Sequence, residues 1–181
     1  MKIYFIRHGK TGHNAGGRAT GTLDIPLSKE GFYQAAYMSN ELKNFKFDIV
    51  FCSPLQRTIQ TAQVIMENQN CPLVLDDRII ERDCGDLTGS TYSELENHPK
   101  WSWIIGDSIS KEVNAETIDE MIERVNSFLS DIKKYHANKK ILIVSHSGVA
   151  NVIHAITNKF KKGTNALCII IKNTQLKEFE I

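Results

Sequence analysis

In this 181-residue chain the side chains best suited to chemistry stand directly behind hydrophobic runs. Arg7-His8-Gly9 follows Lys2-Ile3-Tyr4-Phe5-Ile6 without a spacer. Ser53 and, one helical turn on, Arg57 follow Phe47 to Cys52; His146 follows Ile141-Leu142-Ile143-Val144 and Ser145. A fourth run, Pro72-Leu73-Val74-Leu75, opens onto Asp76, Asp77, Arg78, Glu81, Arg82 and Asp83. A guanidinium offers a planar fork of donors that matches phosphate or carboxylate. An imidazole nitrogen serves as nucleophile, base or ligand. Two guanidiniums brought to one spot repel each other unless a dianion lies between them, and a phosphate monoester has that charge and geometry. A neutral histidine in such a field can attack phosphorus and become a phosphohistidine. The leaving alkoxide then needs a proton from a carboxylic acid. Glu81 is the choice for that acid, with Asp77 and Asp83 as competitors.

These residues meet only if the hydrophobic runs are strands of one parallel sheet. Short runs of β-branched and aromatic residues read as buried strands. Between them lie amphipathic helices. Ser28 is the expected N-cap of a helix whose face is Phe32, Ala35, Ala36, Ser39 and Leu42. Ser53 and Pro54 read as N-cap and first position of a second helix through Leu55, Ile59, Ala62, Ile65 and Met66. Thr117-x-x-Glu120 is a capping box opening a stripe of Ile118, Met121, Ile122, Val125, Phe128, Leu129 and Ile132. A helix through Val149, Val152, Ile153 and Ile156 follows His146. Residues 166–171 and 176–181 read as two antiparallel strands. Thr11 to Asp24 is an irregular loop. Residues 76–114 are poorly periodic, with a short helix near Tyr92 to Asn97. The order β-α-β-α-β-loop-α-β-α-β-β implies an α/β three-layer sandwich: a mostly parallel sheet of about six strands with helices on both faces. Ligands of such sheets bind beyond the carboxyl ends of the strands. That edge would gather Arg7, His8, Ser53, Arg57, the acidic segment and His146.

Composition is that of an ordinary globular chain, 41% hydrophobic and 24% charged. We expect one domain, 1–181, with 82–116 as a small substrate-facing loop insertion. Net charge of +1 argues against sequence-independent binding to nucleic acid or anionic membrane. No signal peptide or membrane span is read. Cys52, Cys71, Cys84 and Cys168 form no Cys-x-x-Cys pair, so reduced thiols in a cytoplasmic protein are expected, without a metal site. His13 is balanced between the site mouth and solvent. His98, His136 and His154 read as surface or packing residues, Trp101 and Trp103 as packing for the segment over the site, and Cys52 as a buried strand residue.

Arg7-His8-Gly9-x-Thr11-x-x-Asn14 resembles the signature of the histidine phosphatase superfamily, the phosphoglycerate mutase-like proteins. The similarity continues through Gly21-x-x-Asp24-x-Pro26-Leu27-Ser28-x-x-Gly31, Ser53-Pro54-Leu55-x-Arg57-Thr58, Glu81-x-x-x-Gly85-x-x-x-Gly89 and Val144-Ser145-His146-Ser147-Gly148. The resemblance implies that His8 is the phosphorylated nucleophile. It implies that Arg7, Arg57 and His146 hold the phosphoryl group, that Glu81 is the proton donor, and that Asn14 and Thr20-Gly21 contact phosphate or substrate. No metal or cofactor is implied. Three positions depart from the family pattern. Lys10 replaces an acid or amide and makes the mouth more basic. Asn114-Ala115-Glu116-Thr117 stands where relatives have Gly-Gly-Glu-Ser. Ser147, in place of a glycine, adds a hydroxyl beside His146.

The expected activity is phosphomonoester hydrolysis of a small phosphorylated metabolite of the sugar phosphate, α-ribazole phosphate or phosphoglycerate type. A cofactor-dependent phosphoglycerate mutase is the alternative. It is disfavoured because the segment between Glu81 and the Thr117 helix is shorter than the mutase insertion and the chain ends on a strand. A non-catalytic phosphate or phosphopeptide sensor is the alternative of another class, opposed by intact His8 and Glu81. Oligomeric state is not determined by the sequence.

Overall fold

The structure, a computed structural model, describes residues 1–96, 107–158 and 171–181. Its sheet is built from β1 (Lys2–Arg7), β2 (Ile49–Cys52), β3 (Leu73–Leu75), β4 (Ile141–Ser145) and β5 (Leu176–Glu180), in the order β3-β2-β4-β1-β5. β5 runs antiparallel to β1 and the other pairs are parallel. Every residue of β2 and β4 is buried, which is why these segments read as unbroken apolar runs rather than as alternating ones.

Alternation along the strands sorts the core into two halves. Ile3, Phe5, Ile49, Phe51, Ile141 and Ile143 face α6 (Ile118–Tyr135) and α7 (Ser147–Thr157), meeting Met121, Val125, Phe128, Leu129, Ile132, Val149 and Ile153. Ile6, Val50, Cys52, Leu142 and Val144 face the other way, onto Leu42, Ala62 and Ile65 of the layer made by α2 (Lys29–Glu41) and α3 (Gln56–Met66). Two helical layers on a mostly parallel sheet give the three-layer α/β sandwich expected. The capping box of α6 is present in full: Thr117 Oγ1 accepts from Glu120 N at 3.1 Å, and Glu120 Oε2 accepts from Thr117 N at 2.8 Å.

The described residues hold five strands; the strand expected over 166–171 falls almost wholly within 159–170 and so outside the described residues, as do Trp101, Trp103, His98 and Cys168. Two details differ from the sequence reading. Ala35, Ser39 and Leu42 of the expected α2 face are buried, but Phe32 and Ala36 are exposed and Gly31 is buried in their place; the i, i+4, i+8 row of Gly31, Ala35 and Ser39 lets α2 lie close to its neighbour. Helix α3 begins at Gln56, not at Pro54, and Leu55 is its N-cap. Asp24 Oδ1 takes over the capping role by accepting from Gln56 N at 2.6 Å. Short helices α1 (Gly12–Ala15), α4 (Tyr92–Glu96) and α5 (Asp107–Glu112) punctuate the irregular segments; α4 matches the short helix expected there.

Candidate active site

Register sets the first contact. Arg7 pairs with Ser145 across β1 and β4, so the next residues, His8 and His146, leave the sheet side by side. His8 N donates to Ser145 O at 2.9 Å, and the ring centroids of His8 and His146 are 5.2 Å apart. Both rings are buried. The turn after His8 is tight against α2. A Cβ on Gly9 would overlap the backbone of Gly31, and one on Gly31 would overlap that of Lys10, so glycine is needed at both positions for close approach. Gly9 N donates to Thr61 Oγ1 at 3.0 Å.

The two imidazoles are held in different ways. His8 Nδ1 lies 2.8 Å from Gly9 O. A carbonyl only accepts, so Nδ1 carries the proton and Nε2 keeps its lone pair. Burial, then Arg57 and Arg7, hold His8 well below the ordinary histidine range, which keeps it neutral and nucleophilic near pH 7. His146 caps α7 and places Nε2 2.8 Å from Ser53 Oγ. Burial, followed by Arg57 and His8, also keeps His146 far below its usual pKa. A neutral His146 with Ser53 donating to Nε2 presents an N–H at Nδ1. Ser53, read from sequence as a helix cap, thus serves the second histidine.

Arg57 sits on the first turn of α3 and is 1% exposed. It donates to Leu23 O at 2.6 Å and Gly21 O at 2.8 Å, fixing the end of the Thr11–Asp24 loop. Arg7 donates to Ile171 O at 2.9 Å. Burial lowers both guanidiniums from their usual pKa while the charge of Glu81 opposes the shift. Asn14 closes a small capping box with Thr11, and its Oδ1 also accepts from Asn173 Nδ2 at 3.4 Å. The same Asn173 amide donates to His8 O at 2.8 Å. This engagement of the carbonyl leaves the Asn14 amide N–H groups as donors for the site.

A cavity of about 290 Å³ opens here. Arg7, His8, Asn14, Thr20, Gly21, Arg57, Glu81 and Ser147 all line it, and His146 stands against His8 beneath it. Every site residue picked out from the sequence is therefore brought together. Of the three competing acids, Glu81 alone borders the cavity. Its Oε1 accepts from Arg82 N at 3.0 Å and its Oε2 from Gly148 N at 3.3 Å. Asp77 is exposed in a 3-10 turn, and Asp83 Oδ1 accepts from Gly85 N at 2.9 Å. Ala19, Cys84, Tyr92 and Gly148 also line the cavity. Sequence reasoning did not select Tyr92 or Cys84, because both stand in aperiodic chain whose path no local pattern reveals. Burial pushes the Cys84 thiol up to about 12, so it is a neutral wall rather than a nucleophile.

Two departures from the family pattern find physical explanations and one expectation is corrected. Asn114 adopts φ of 54°, a left-handed conformation that asparagine tolerates better than most residues and glycine adopts freely. Ser147 does face the cavity. Lys10, by contrast, does not make the mouth more basic: its Nζ is tied to Glu30 Oε2 at 2.8 Å, and Lys10 does not line the cavity. His13 does not line it either.

Among the described residues, Arg7 Nε, His13 Nδ1, Thr20 Oγ1, Arg57 Nε and His146 Nδ1 are buried without a partner. Buried polar atoms are rarely left so, and each unsatisfied one costs about 1–3 kcal/mol. Arg7, Thr20 and Arg57 line the cavity with His8, and the His146 ring lies against that of His8. Buried donors of this kind suit an oxyanion as ligand. The model of the histidine phosphatase superfamily (branch 1) matches residues 3–181. The chain belongs to this superfamily. A Bacillus subtilis protein described as an uncharacterized phosphatase, PhoE, is 34% identical over 162 residues, covering 89% of this chain and 78% of that protein. Phosphoserine phosphatase 1 of Hydrogenobacter thermophilus is 33% identical over 150 residues, 81% of this chain and 71% of that one. Among solved structures, a mutant phosphoserine phosphatase of Entamoeba histolytica in complex with phosphoserine superposes with a TM-score of 0.85 at 26% identity, over 99% of this chain and 90% of that one. This histidine phosphatase thus shares its fold and its enzyme class with phosphatases. Phosphoserine is named for two of these relatives; the sequence reading did not include it.

Proposed function

We propose that this protein hydrolyses a small phosphate monoester through a phosphohistidine on His8. The observation that carries the reading is that Arg7 and Arg57, each with a buried unpartnered Nε, share one cavity with a neutral His8, against which the His146 ring lies with its own Nδ1 unpartnered. Arg7, Arg57 and His146 hold the phosphoryl oxygens, with Asn14, Thr20, Gly21 and Ser147 contacting phosphate or substrate. His8 Nε2 attacks phosphorus, the P–O bond to the alcohol breaks, and the Glu81 carboxyl gives its proton to the departing oxygen. Water then attacks the phosphohistidine, Glu81 takes back a proton, and phosphate leaves. Fixed donors aimed at developing charge are the main source of rate in such a transfer. No residue in this scheme calls for a metal.

We take residues 1–181 as one catalytic unit in which 82–116 faces the substrate; Cys84 and Tyr92 on the cavity wall support this. Cys52, Cys71 and Cys84 are free thiols, which suits a reducing cytoplasmic setting. Among the described residues no helix is long and apolar enough to cross a membrane, and a charge of +1 favours a small-molecule substrate over nucleic acid.

Single-turnover trapping with a labelled phosphate monoester tests the reading. An acid-labile, base-stable label on His8 that passes to water is expected. Transfer to a phosphoglycerate instead would make the protein a mutase, and no label at all would make it a sensor. A panel of sugar phosphates, α-ribazole phosphate, phosphoglycerates and phosphoserine then ranks substrates by kcat/KM.

A further inference from the structure

The acid Glu81 stands on chain that belongs to neither helix nor sheet. Four consecutive carbonyls leading to it, on Arg78 and Ile79 at the end of the 3-10 turn and on Ile80 and Glu81 after it, find side-chain donors. Arg124 Nη1 donates to Arg78 O and Ile80 O, both at 2.8 Å, and Arg124 Nη2 reaches Glu81 O at 3.4 Å. Ser145 Oγ donates to the remaining carbonyl, Ile79 O, at 2.6 Å. Arg124 is itself gripped by Glu116, whose two carboxylate oxygens accept from Nε at 2.5 Å and Nη2 at 2.8 Å. Both side chains are under one-fifth exposed, at 19% and 17%. Partly buried carbonyls that no helix or sheet ladder satisfies need such donors to hold the chain to its path.

We infer that Arg124, oriented by Glu116, is a positioning residue for Glu81: it fixes the main chain from which the proton donor reaches the cavity. The inference rests on the reading of Glu81 as that donor. Arg124 is not among the residues lining the cavity, so it acts through Glu81 and not on substrate. Only the planar fork of arginine can chelate a carboxylate on one edge and carbonyls on the other; lysine has a single ammonium. The capping box at Thr117 starts α6 beside Glu116, and Arg124 lies on the same helix. The helix that forms half the core thereby also sets the position of the acid.

The test compares Arg124→Lys, Glu116→Gln and Glu81→Gln on two substrates: p-nitrophenyl phosphate, whose leaving group needs no proton, and an alkyl phosphate, whose leaving group does. kcat/KM reports the step up to ester cleavage. Glu81→Gln is expected to lose about 10²–10⁴-fold on the alkyl ester and far less on the aryl ester. Arg124→Lys should show the same selectivity at smaller amplitude, roughly 10–100-fold on the alkyl ester. Inhibition by inorganic phosphate should stay unchanged, because the phosphoryl grip is intact. Joined to Glu81→Gln, it should add no further selective loss. Glu116→Gln, which keeps the shape of the side chain, should follow Arg124→Lys and serves if that variant folds poorly. Equal loss on both esters by both variants, with Glu81→Gln still selective, would overturn the inference and leave Arg124 a support of the fold. A Glu81→Gln enzyme without selectivity would instead remove the acid assignment on which the inference stands.

Discussion

A hydrogen bond chosen by each imidazole's neighbour gives the two histidines opposite work. His8 is held as the Nδ1–H tautomer by Gly9 O, which frees Nε2 for attack. His146 is expected to carry its proton on the nitrogen that Ser53 does not touch. His8→Ala should abolish phosphate release from every ester; measurable turnover would move the nucleophile elsewhere. Ser53→Ala is expected to lower kcat about tenfold, the kinetic equivalent of one net hydrogen bond of about 1–1.5 kcal/mol. The ¹⁵N resonances of His146 should then report mixed tautomers, and an unchanged pattern would refute the role of Ser53. Arg7, His8 and His146 were legible in the sequence because each stands at the end of a strand or directly behind one. The service of Ser53 was not, since its partner lies on another strand and only the register of β2 against β4 brings them together.

Element ends do most of the positioning. β1, β2 and β4 deliver Arg7, His8, Ser53 and His146 to one edge, and α3 and α7 begin there. Helix α7 starts against the acid: a Cβ on Gly148 would overlap Glu81 Oε1. Gly148→Ala is therefore expected to displace Glu81 and to cost about 10–100-fold in kcat/KM for alkyl phosphates, while thermal melting moves by only a few degrees. An alanine enzyme with wild-type rates would show that Glu81 tolerates the shift. In the same core layer, Thr117→Ala removes one half of the α6 capping box and should lower unfolding free energy by about 1 kcal/mol, read from a denaturant midpoint at constant slope. The boundary of α3 was misread because Ser53-Pro54 has the local form of a helix start. The long-range cap from Asp24 and the bond from Ser53 to His146 override that preference.

At the scale of the whole molecule, folding buries two neutral imidazoles beside two cations. Both histidines have folded pKa values well below 6.5, whereas the unfolded chain titrates near the ordinary value. Below about pH 6.5 the unfolded state binds more protons than the folded one, so stability rises with pH there and falls as the solution is acidified. Above that point these groups contribute no slope. Each histidine adds about 1.4 kcal/mol per pH unit within the window between its two pKa values. Denaturant titrations at pH 7.5, 6.5 and 5.5 should show a loss confined to the lower interval. His146→Gln should reduce that loss, and a flat profile would mean that the rings are not held neutral. A bound oxyanion should act in the opposite sense. Inorganic phosphate at about 100 times its Kd is expected to stabilise the fold by about 2.7 kcal/mol, seen as a rise in Tm.

By itself the amino-acid order determined the strand runs, the two helical layers and which imidazoles and guanidiniums stand at the strand ends, the groups we propose grip a phosphoryl oxyanion. These are written in local periodicity and in what stands directly behind each strand. Only the tertiary structure decided which of three acids reaches the cavity, that Lys10 turns to Glu30, that Tyr92 and Cys84 form the wall, and that Arg124 holds the chain under Glu81. Those outcomes depend on aperiodic segments. Their backbone groups find partners far along the chain, and no spacing rule encodes a bond whose two ends are set by the packing of different layers.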